Sequence, residues 1–258
     1  MSKNITLGVI PARMGSSRFP GKPLELIDGK PMIWHIWRRS RLSGLDDVVI
    51  ATCDQEILDA AEAFGAQAIM TSDKHTRCND RVAEAARAFP HEIVLNIQGD
   101  EPLVHPQLID DILALFRERP EVQCVNPIAE LTDPKELESP NTVKVVYNLD
   151  GRVLYFSRYP IPSDWVNKRQ GAVYRQVPIL GFRRDFFFKL SSLPESPLEI
   201  QEGVDMMRAV ENNMPVDILK TPYQTIGVDV PEDVRRVEQA LADDPIYPRY
   251  RETTERNV

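Results

Sequence analysis

Hydrophobic and polar positions follow two rhythms along the first half of the chain. Short apolar runs rich in Val and Ile are bounded by polar or Gly- and Pro-containing segments, which is typical of β-strands buried on both faces. Between them, apolar residues recur at helical spacing and predict amphipathic helices. The predicted strands are 6–10, 47–52, 67–71, 93–97 and 122–127, and the predicted helices are 32–43, 55–64, 81–89 and 107–117.

This order predicts an α/β fold, a mostly parallel sheet covered by helices on both faces. The rhythm changes near residue 140. Two strand patterns, 142–147 and 152–156, flank Asn148-Leu149-Asp150-Gly151, a turn signal that predicts an antiparallel hairpin. We therefore expect one domain over residues 1–258, with an antiparallel insertion at about 140–185.

The last part of the chain predicts a return to the core and then a loose end. No internal repeat or low-complexity linker marks off a second domain, and the charged, Pro-containing stretch from Asp243 predicts an unpacked tail. The predicted strands are 174–182, 216–219 and 225–228, and the predicted helices are 184–190, 198–212 and 232–241.

Composition excludes several classes of protein. The chain has 258 residues and a net charge of −8, which argues against nucleic-acid binding because a polyanion needs an extended basic face. No apolar run approaches the length of a membrane span, and the N-terminus lacks the order of a signal peptide, so we expect a cytoplasmic protein. Cys53, Cys78 and Cys124 are odd in number and far apart, which predicts neither disulfides nor a metal cluster.

A basic loop follows the first predicted strand. Residues 1–31 carry five Lys or Arg against two acidic residues, a local charge of +3. The loop holds Arg13, Ser16, Arg18 and Lys22 among glycines, a combination that suits phosphate oxygens. A solvated basic turn is the alternative, but ligands bind beyond the carboxyl ends of strands in α/β sheets, which favours a phosphate site.

Two familiar phosphate loops fit this segment poorly. The spacing from Gly15 to Gly21-Lys22 is one residue too long for a Walker A loop, and Pro23 stands where Ser or Thr would bind magnesium. The first strand is not followed by G-x-G-x-x-G, so a dinucleotide site of the Rossmann type is not predicted either.

Two carboxylates follow other predicted strands. Asp100 lies in Gln98-Gly99-Asp100-Glu101-Pro102, directly after strand 93–97, and Asp229 follows strand 225–228. Both would face the basic loop, and two carboxylates with substrate phosphates suit Mg²⁺. For Asp229, capping of the helix that starts near Pro231 is an equally good interpretation from the residues alone.

The chain resembles the CMP-Kdo synthetases (3-deoxy-manno-octulosonate cytidylyltransferases). The motifs that carry the resemblance, all in the family's order, are IPARMGSSRFPGKPL, NIQGDEP, NTVKVV, LYFSRYPIP, SPLE and GVDVPED. The resemblance covers about residues 4–240. It implies a GT-A-like α/β fold, CTP and an anionic sugar acid as substrates, Mg²⁺ as cofactor, and a homodimer formed through the insertion, which would also contribute to acceptor binding.

The resemblance also implies roles for individual residues. Arg13 and Lys22 would bind the CTP triphosphate and, with Asp100, act in catalysis; Asp100 and Asp229 would bind magnesium. The remaining residues implied for the nucleotide are Ser16, Arg18, Arg77, Asn79 and Gln98, and those implied for the acceptor are Arg158, Arg175, Gln176, Leu180, Glu199 and Asp205. Arg158 and Arg175 match a carboxylate bidentately, but an ordinary surface or dimer-contact arginine is as good an interpretation of either.

The chain departs from the family pattern mainly where the acceptor would lie. Arg77-Cys78-Asn79-Asp80-Arg81 stands where members usually read SGTER, Gln176 replaces a His, Pro178 a Gly, and Leu180 a Tyr. Asp205-Met206 stands for the usual Glu-Gln pair. Because Leu and Met cannot replace the hydrogen bonds of Tyr and Gln to a polyol, these changes favour a related but different acceptor. Neutral drift in a true Kdo enzyme is the alternative.

The expected reaction is cytidylyl transfer. The anomeric hydroxyl of a sugar acid, or an oxygen of another anionic acceptor, would attack the α-phosphorus of CTP in line, and pyrophosphate would leave. A nucleotide-sugar glycosyltransferase and a non-enzymatic nucleotide-binding module are the rival interpretations. The basic loop speaks against the first, and both carboxylates beside it speak against the second.

Overall fold

A ten-stranded sheet and a small two-stranded hairpin form the β-structure of the residues that the computed structural model describes, 5–16, 18–164 and 171–251. The strands are β1 (Thr6–Ala12), β2 (Leu26–Ile27), β3 (Lys30–Pro31), β4 (Asp47–Thr52), β5 (Gln67–Met70), β6 (Ile93–Ile97), β7 (Cys124–Glu130), β8 (Lys144–Tyr147), β9 (Val153–Ser157), β10 (Tyr174–Gln176), β11 (Ile179–Arg183) and β12 (Asp217–Lys220). The helices are α1 (Met32–Ser40), α2 (Gln55–Ala63), α3 (Cys78–Ala86), α4 (Pro106–Glu118), α5 (Pro134–Glu138), α6 (Arg184–Ser191), α7 (Pro197–Glu202), α8 (Met207–Glu211), α9 (Pro231–Ala242) and α10 (Pro248–Arg251), with a 3₁₀ turn at Lys22–Leu24.

The first half of the large sheet is parallel. β1 lies between β4 and β6, and β5 pairs with β4 at the edge. Beyond β6 the order continues through β11, β7, β10, β8 and β9, with antiparallel pairing, while β12 pairs with β7 in parallel. The predicted α/β fold with an antiparallel insertion is confirmed, and the carboxyl ends of β1, β4 and β6 meet at one edge.

Alternating residues of the buried strands supply two cores, one on each face of the sheet. In β6, Ile93, Leu95 and Ile97 pack with α1, α2, α4 and α9, whereas Val94 packs on the opposite face with α3, α6 and α8. Burial on both faces explains why these strands are almost wholly apolar. Asn96 in β6 and Asn126 in β7 are polar exceptions, and both are fully buried.

The sequence pattern joined elements that the structure separates. The predicted strand 174–182 is two strands, because Pro178 has no N–H to donate and the chain steps from β8 to β6 there. The predicted helix 198–212 is likewise two helices: Gly203 ends α7 in the left-handed conformation, with φ of 62°.

Segment 225–228 is not a strand. The backbone from residue 221 to residue 230 is irregular, and Val228 N donates one bond to Asp100 O, at 2.9 Å, with no ladder on either side. The prediction of a strand was therefore wrong, although the segment does carry Asp229 to the predicted edge of the sheet.

The expected loose tail is packed as far as residue 251. Tyr250 in α10 is fully buried, and Ile246 and Tyr247 are nearly so. Arg39 in α1 pairs with Asp244, and the Tyr247 hydroxyl bonds to Asp28 in the β2–β3 turn. The end of the described chain thus braces the hairpin that follows the basic loop. In these same ranges, no helix is both long and apolar enough for a membrane span.

Candidate active site at the carboxyl edge of the sheet

A cavity of about 620 Å³ opens between the carboxyl edge of the parallel strands and the antiparallel insertion. It joins residues that are far apart in sequence, from the basic loop to the segment after β12. The predicted site residues that line it are Arg18, Gln98, Asp100, Arg158, Arg175, Gln176, Leu180, Asp205 and Asp229. The other predicted residues, Arg13, Ser16, Lys22, Arg77, Asn79 and Glu199, lie outside this lining.

The basic loop folds back on itself after β1. Gly21 N donates to Met14 O at 2.9 Å, and Gly21 has φ of 79°, which favours glycine. Met14 N donates to Asp54 Oδ2 at 2.8 Å and so ties the loop to the end of β4. Arg13 is exposed beside this tie, and half-buried Ser16 accepts a bond from Phe19 N at 3.4 Å. Met14 and Gly21, near the two ends of the loop, are therefore held together and to the end of β4.

Gly99 lets β6 end against β1. A Cβ on Gly99 would lie 2.2 Å from Pro11 O, a distance that no side chain tolerates. The glycine is therefore required by space rather than by an unusual backbone angle. This close approach brings Asp100 next to the basic loop.

Lys22 lies between the two predicted metal ligands. Its Nζ is 2.8 Å from Asp100 Oδ2 and 3.8 Å from Asp229 Oδ1, and it donates to Val228 O at 2.9 Å. Arg18 approaches from the solvent side, with Nη2 2.8 Å from Asp229 Oδ1. Asp100, Asp229 and Arg18 thus line one end of the cavity, and the Lys22 ammonium pairs with the two carboxylates from outside the lining.

The structure separates the two interpretations of Asp229. The helix cap is Asp233, whose Oδ2 accepts from Asp229 N at 3.0 Å and from Val230 N at 3.2 Å. The Asp229 carboxylate instead faces Lys22 and Arg18. It is therefore free of capping and belongs to the charged end of the cavity.

The two carboxylates have the chemistry that a magnesium ion requires. The Lys22 ammonium already stands as a cation between Asp100 and Asp229. Hard oxygen ligands from one or two carboxylates, completed by phosphate and water, are typical of Mg²⁺. Within the described ranges no group of three or more His, Cys, Asp or Glu is arranged so that it could hold a metal ion by itself, so substrate oxygens would have to complete the coordination.

Three residues implied for the nucleotide lie on the face of the sheet that α3, α6 and α8 cover: Gln98, Asn79 and Arg77. Gln98 Nε2 donates to Asn96 Oδ1 at 3.4 Å, and Asn96 Nδ2 donates to Asn79 Oδ1 at 2.8 Å. Asn79 is 4% exposed, so it positions neighbours rather than facing the cavity. Arg77 Nε pairs with Glu195 Oε1 at 2.7 Å, outside the cavity lining.

The two arginines proposed for the acceptor differ in how many hydrogen bonds their guanidinium groups already make to other protein groups. Arg158 donates to Glu202 O at 2.7 Å, to Pro140 O at 2.7 Å and to Gly203 O at 3.2 Å, so its guanidinium holds backbone. Among the described residues, Arg175 makes one long bond, Nη2 to Thr225 O at 3.5 Å, and its buried Nε has no partner. Arg175 is the better placed to bind a carboxylate.

The remaining acceptor residues divide in the same way. Gln176 and Leu180 line the cavity from β10 and β11, and Asp205 lines it from the loop between α7 and α8, where burial raises its pKa. Glu199 is fully buried: its carboxylate binds Arg208 at 2.7 and 2.8 Å and caps α7 through Ser196 N. Protein groups therefore already bond to both oxygens of Glu199, and the residue lies outside the cavity lining.

Glu101 is a cavity residue that sequence reasoning passed over. It is 9% exposed and its Oε2 has no partner among the described residues. Burial, together with the negative charge of Asp100, raises the pKa of Glu101 to about 8. Its place directly after Asp100 was the available signal. Further polar residues of the lining that the sequence did not indicate are Lys135, Glu136, Ser139, Asn141, Thr142, Thr225, Asp233 and Arg236.

Comparison with known proteins places the chain in a family. The profile of the family described as Cytidylyltransferase matches residues 7–219. The 3-deoxy-manno-octulosonate cytidylyltransferase of Solibacter usitatus is 42% identical over 90% of this chain and 93% of its own length. The protein of the same name from Geobacter sulfurreducens is 39% identical over 92% of this chain and 99% of its own.

A solved structure agrees with these relatives. The structure of a CMP:2-keto-3-deoxy-manno-octonic acid synthetase complexed with CTP is 36% identical, with a TM-score of 0.86 over 92% of this chain and 98% of that one. The shared fold, the shared length and the motifs agree. The chain belongs to the cytidylyltransferase family and, within it, to the family of the 3-deoxy-manno-octulosonate cytidylyltransferases, which are nucleotidyltransferase enzymes.

Proposed function

We propose that this protein transfers the CMP group of CTP to the anomeric hydroxyl of a sugar acid of the Kdo class and releases pyrophosphate. The observation that carries the proposal is the cavity itself. One end is lined by Arg18, Asp100 and Asp229, with Lys22 paired to both carboxylates from outside the lining, and the wall formed by the insertion holds Arg175 and Gln176. A nucleoside triphosphate suits the first end and an anionic polyol suits the second.

The basic loop would bind the triphosphate. Exposed Arg13, half-exposed Arg18 and Lys22 offer three positive charges near the end of β1. Negative charge grows on the β- and γ-phosphates as the bond to the α-phosphorus breaks, so these residues bind the transition state more tightly than the substrate. Lys22, held by Asp100 and Val228 O, is aimed at the point where β1 and β6 end.

Asp100 and Asp229 would hold Mg²⁺, which fits the cation position that Lys22 now shares. Bound there, the ion would neutralise phosphate charge and lower the pKa of the attacking hydroxyl. Asp100 is fixed for this by the packing of Gly99 on Pro11, and Asp229 by the Asp233 cap on its N–H.

Arg175 would bind the acceptor's carboxylate and orient its hydroxyl. The oxygen of that hydroxyl forms a bond to the α-phosphorus while the bond from the α-phosphorus to the bridging oxygen of pyrophosphate breaks; the hydroxyl proton is lost to solvent. Positioning of this kind supplies a large part of the rate in phosphoryl transfer. Arg158 would support the same wall by holding its backbone.

A second candidate acceptor, an acid other than Kdo, is favoured by a specific observation. Three of the residues that depart from the family pattern touch one another: Asn79 N donates to Asp205 Oδ2 at 3.2 Å, and Asn79 Nδ2 lies 3.8 Å from Met206 Sδ. Leu180 adds an apolar surface to the same cavity. A coordinated change of one wall supports a changed partner more than scattered drift does.

We also propose a homodimer in the cytoplasm. Leu154 on the edge strand β9 is 55% exposed and Tyr159 after it is 81% exposed, an apolar surface on the insertion that a second copy would cover. The three cysteines are all free, which suits a reducing compartment.

Pyrophosphate release from CTP and Mg²⁺ tests the proposal. The purified protein is assayed with Kdo, other sugar acids and phosphonates, with ATP, GTP and UTP as controls for the base, and the nucleotide sugar is identified by mass spectrometry. A kcat/KM for Kdo of about 10⁵ M⁻¹s⁻¹ identifies Kdo as the acceptor. Feeble turnover of Kdo with efficient turnover of another acid identifies the second candidate. Binding of CTP without transfer to any acid overturns the proposal.

A further inference from the structure

The side-chain amide of Gln176 is held by a buried asparagine behind the cavity wall. Gln176 Nε2 donates to Asn126 Oδ1 at 2.6 Å. Asn126 Nδ2 donates in turn to two backbone carbonyl oxygens, Pro127 O at 2.8 Å and Val177 O at 3.2 Å. Asn126 lies in β7, where its side chain is fully buried.

These contacts fix the orientation of both amides. Carbonyl oxygens accept hydrogen bonds and never donate them, so the nitrogen of Asn126 must face Pro127 O and Val177 O. The oxygen of Asn126 must then face Gln176, and only the side-chain nitrogen of Gln176 can donate a hydrogen bond to it. If both amides were turned over, the Asn126 oxygen would meet two buried carbonyl oxygens and lose both bonds. The backbone therefore decides which end of Gln176 is turned inward.

The backbone geometry that does this comes from Pro178. The proline interrupts the strand pattern between β10 and β11. Val177 O and Pro127 O therefore do not both accept bonds in a regular strand ladder. Val177 O accepts one backbone bond from Ile179 N at 2.8 Å, and Pro127 O accepts one from Val177 N at 2.9 Å. Each oxygen keeps a lone pair that can accept from Asn126 Nδ2. The strand break and the asparagine thus form one unit.

From this geometry we infer that Asn126 is a positioning residue that sets the specificity of the acceptor site: it turns Gln176 so that its carbonyl oxygen, Oε1, faces the ligand. Within the described ranges no group donates to Gln176 Oε1, and the residue lines the cavity. The amide keeps one further N–H, but its oxygen and nitrogen cannot trade places. The inference rests on the proposed function for the identity of the ligand.

The consequence is a requirement on the acceptor molecule. The group that meets Gln176 Oε1 must bring a hydrogen-bond donor, either a hydroxyl or a protonated amine. An ether or carboxylate oxygen at that point would leave two acceptors facing each other. Neighbouring Leu180 offers no polar group that would compensate. Sites built to hydrogen-bond one substrate group reject analogues that lack the donor.

The orientation is tested first without catalysis. In the ¹⁵N-labelled protein, the Gln176 side-chain amide is assigned by its loss in Gln176→Leu. One of its protons should exchange with solvent at least about tenfold more slowly than that of an exposed glutamine, because it is bonded to a buried oxygen. Asn126→Ala should abolish this protection. A Gln176 amide that is unprotected in the wild type, or still protected in Asn126→Ala, overturns the inference.

The specificity is tested with Kdo and with its derivatives methylated at each non-anomeric hydroxyl. At one hydroxyl, methylation should lower kcat/KM about 10- to 100-fold in the wild type, through the acceptor's KM and not that of CTP. Gln176→Leu should remove this penalty. Introduced alone, Asn126→Ala should reduce the methylation penalty. Added to Gln176→Leu, it should change the penalty no further.

The outcomes separate this inference from the proposed function. Additive effects of Asn126→Ala and Gln176→Leu, or an unchanged methylation penalty in Asn126→Ala, overturn the positioning role while turnover persists. If Asn126→Ala does not fold, Asn126→Leu, which is close to Asn in size, replaces it: Leu cannot accept from Gln176 Nε2, so the penalty should again fall. If no acid supports pyrophosphate release, the proposed function fails, and the amide-exchange experiment still decides the orientation of Gln176.

Discussion

At the scale of single residues, the candidate site is organised by charge. Asp100 and Asp229 are close enough to share the ammonium of Lys22, and each has a second neighbour that fixes it. In the absence of a cation, two carboxylates this close would repel each other. Lys22 thus keeps the pair assembled before substrates arrive, and the negative charge of Asp100 is the property to test.

Asp100→Asn should lower kcat at least about a hundredfold, because it keeps the shape of the side chain and removes the charge that would hold Mg²⁺. CTP affinity, measured by calorimetry, should fall much less. Asp59→Asn, at an exposed position of α2, is the matched control for loss of one negative charge and should leave kcat unchanged. Near-normal activity of Asp100→Asn at saturating magnesium would remove Asp100 from the mechanism.

Single residues were predictable from the sequence where a motif signals their chemistry. The basic loop and Asp100 follow strands directly, and ligands bind at such ends. Glu101 and Asn126 were not predictable in this way. The burial that raises the pKa of Glu101 and the contact of Asn126 with Gln176 arise only in the tertiary fold, although Glu101 directly follows Asp100 in the sequence.

At the scale of elements, the site depends on how strand ends meet. β1 and β6 pair in parallel, and the chain leaves both at the same edge. Gly99 allows the backbone after β6 to touch Pro11 O, so the loop carrying Lys22 and the loop carrying Asp100 are held in contact. A side chain at residue 99 would wedge the two loops apart.

Gly99→Ala should therefore lower the free energy of unfolding by about 2 kcal/mol or more, as overpacking does, and should weaken CTP binding as well. Gly15→Ala is the matched control, because no heavy atom of the described residues lies within 4 Å of the added carbon. Urea unfolding of the two variants makes the comparison. Equal stabilities would mean that the loops yield easily, and that their contact does not define the site.

Element boundaries were partly predictable, and the failures have physical causes. Pro178 and Gly203 are strand and helix breakers, yet the apolar pattern runs across both and hides the breaks. Segment 225–228 alternates like a strand, but β7 already pairs with β12 on one side and with β10 and β11 on the other, so both edges of β7 are taken. Pairing partners are a tertiary property that a local pattern does not contain.

At the scale of the whole molecule, the C-terminal segment closes one of the two cores. Buried His35 in α1 donates from Nε2 to Ile27 O at 2.8 Å, and its Nδ1 accepts from the Tyr250 hydroxyl at 3.2 Å. Burial lowers the pKa of His35 to about 4. The neutral ring thus joins the tail, α1 and the hairpin after the basic loop.

Stability should depend on pH through His35. The unfolded chain binds a proton at this residue below about pH 6.5 and the folded chain only below about pH 4, so the free energy of unfolding should fall as the pH drops through that window. The contribution lost is roughly 3 kcal/mol. His35→Gln keeps a donor for Ile27 O and removes the titration. Urea unfolding from pH 7 to pH 4 should show the wild type losing more stability than the variant; parallel curves would contradict the assignment.

Assembly is tested on the exposed face of the insertion. If Leu154 lies in a dimer interface, Leu154→Glu should shift the mass measured by light scattering from twice 29.4 kDa to that of one chain. Leu26→Glu is the matched control, because Leu26 is also 55% exposed but lies in the hairpin after the basic loop. A wild-type monomer, or a Leu154→Glu protein that remains dimeric, would contradict the proposed interface.

The contact between Asn126 and Gln176 has a consequence for how relatives of this protein diverge. A residue at 176 without a donor would leave the buried oxygen of Asn126 without a hydrogen bond, at a cost of about 1–3 kcal/mol. A residue at 126 without an acceptor would leave Gln176 free to turn. Neither position can change alone without loss, so the pair should be inherited together or replaced together. Covariation of these two positions among relatives would then follow a change of substrate.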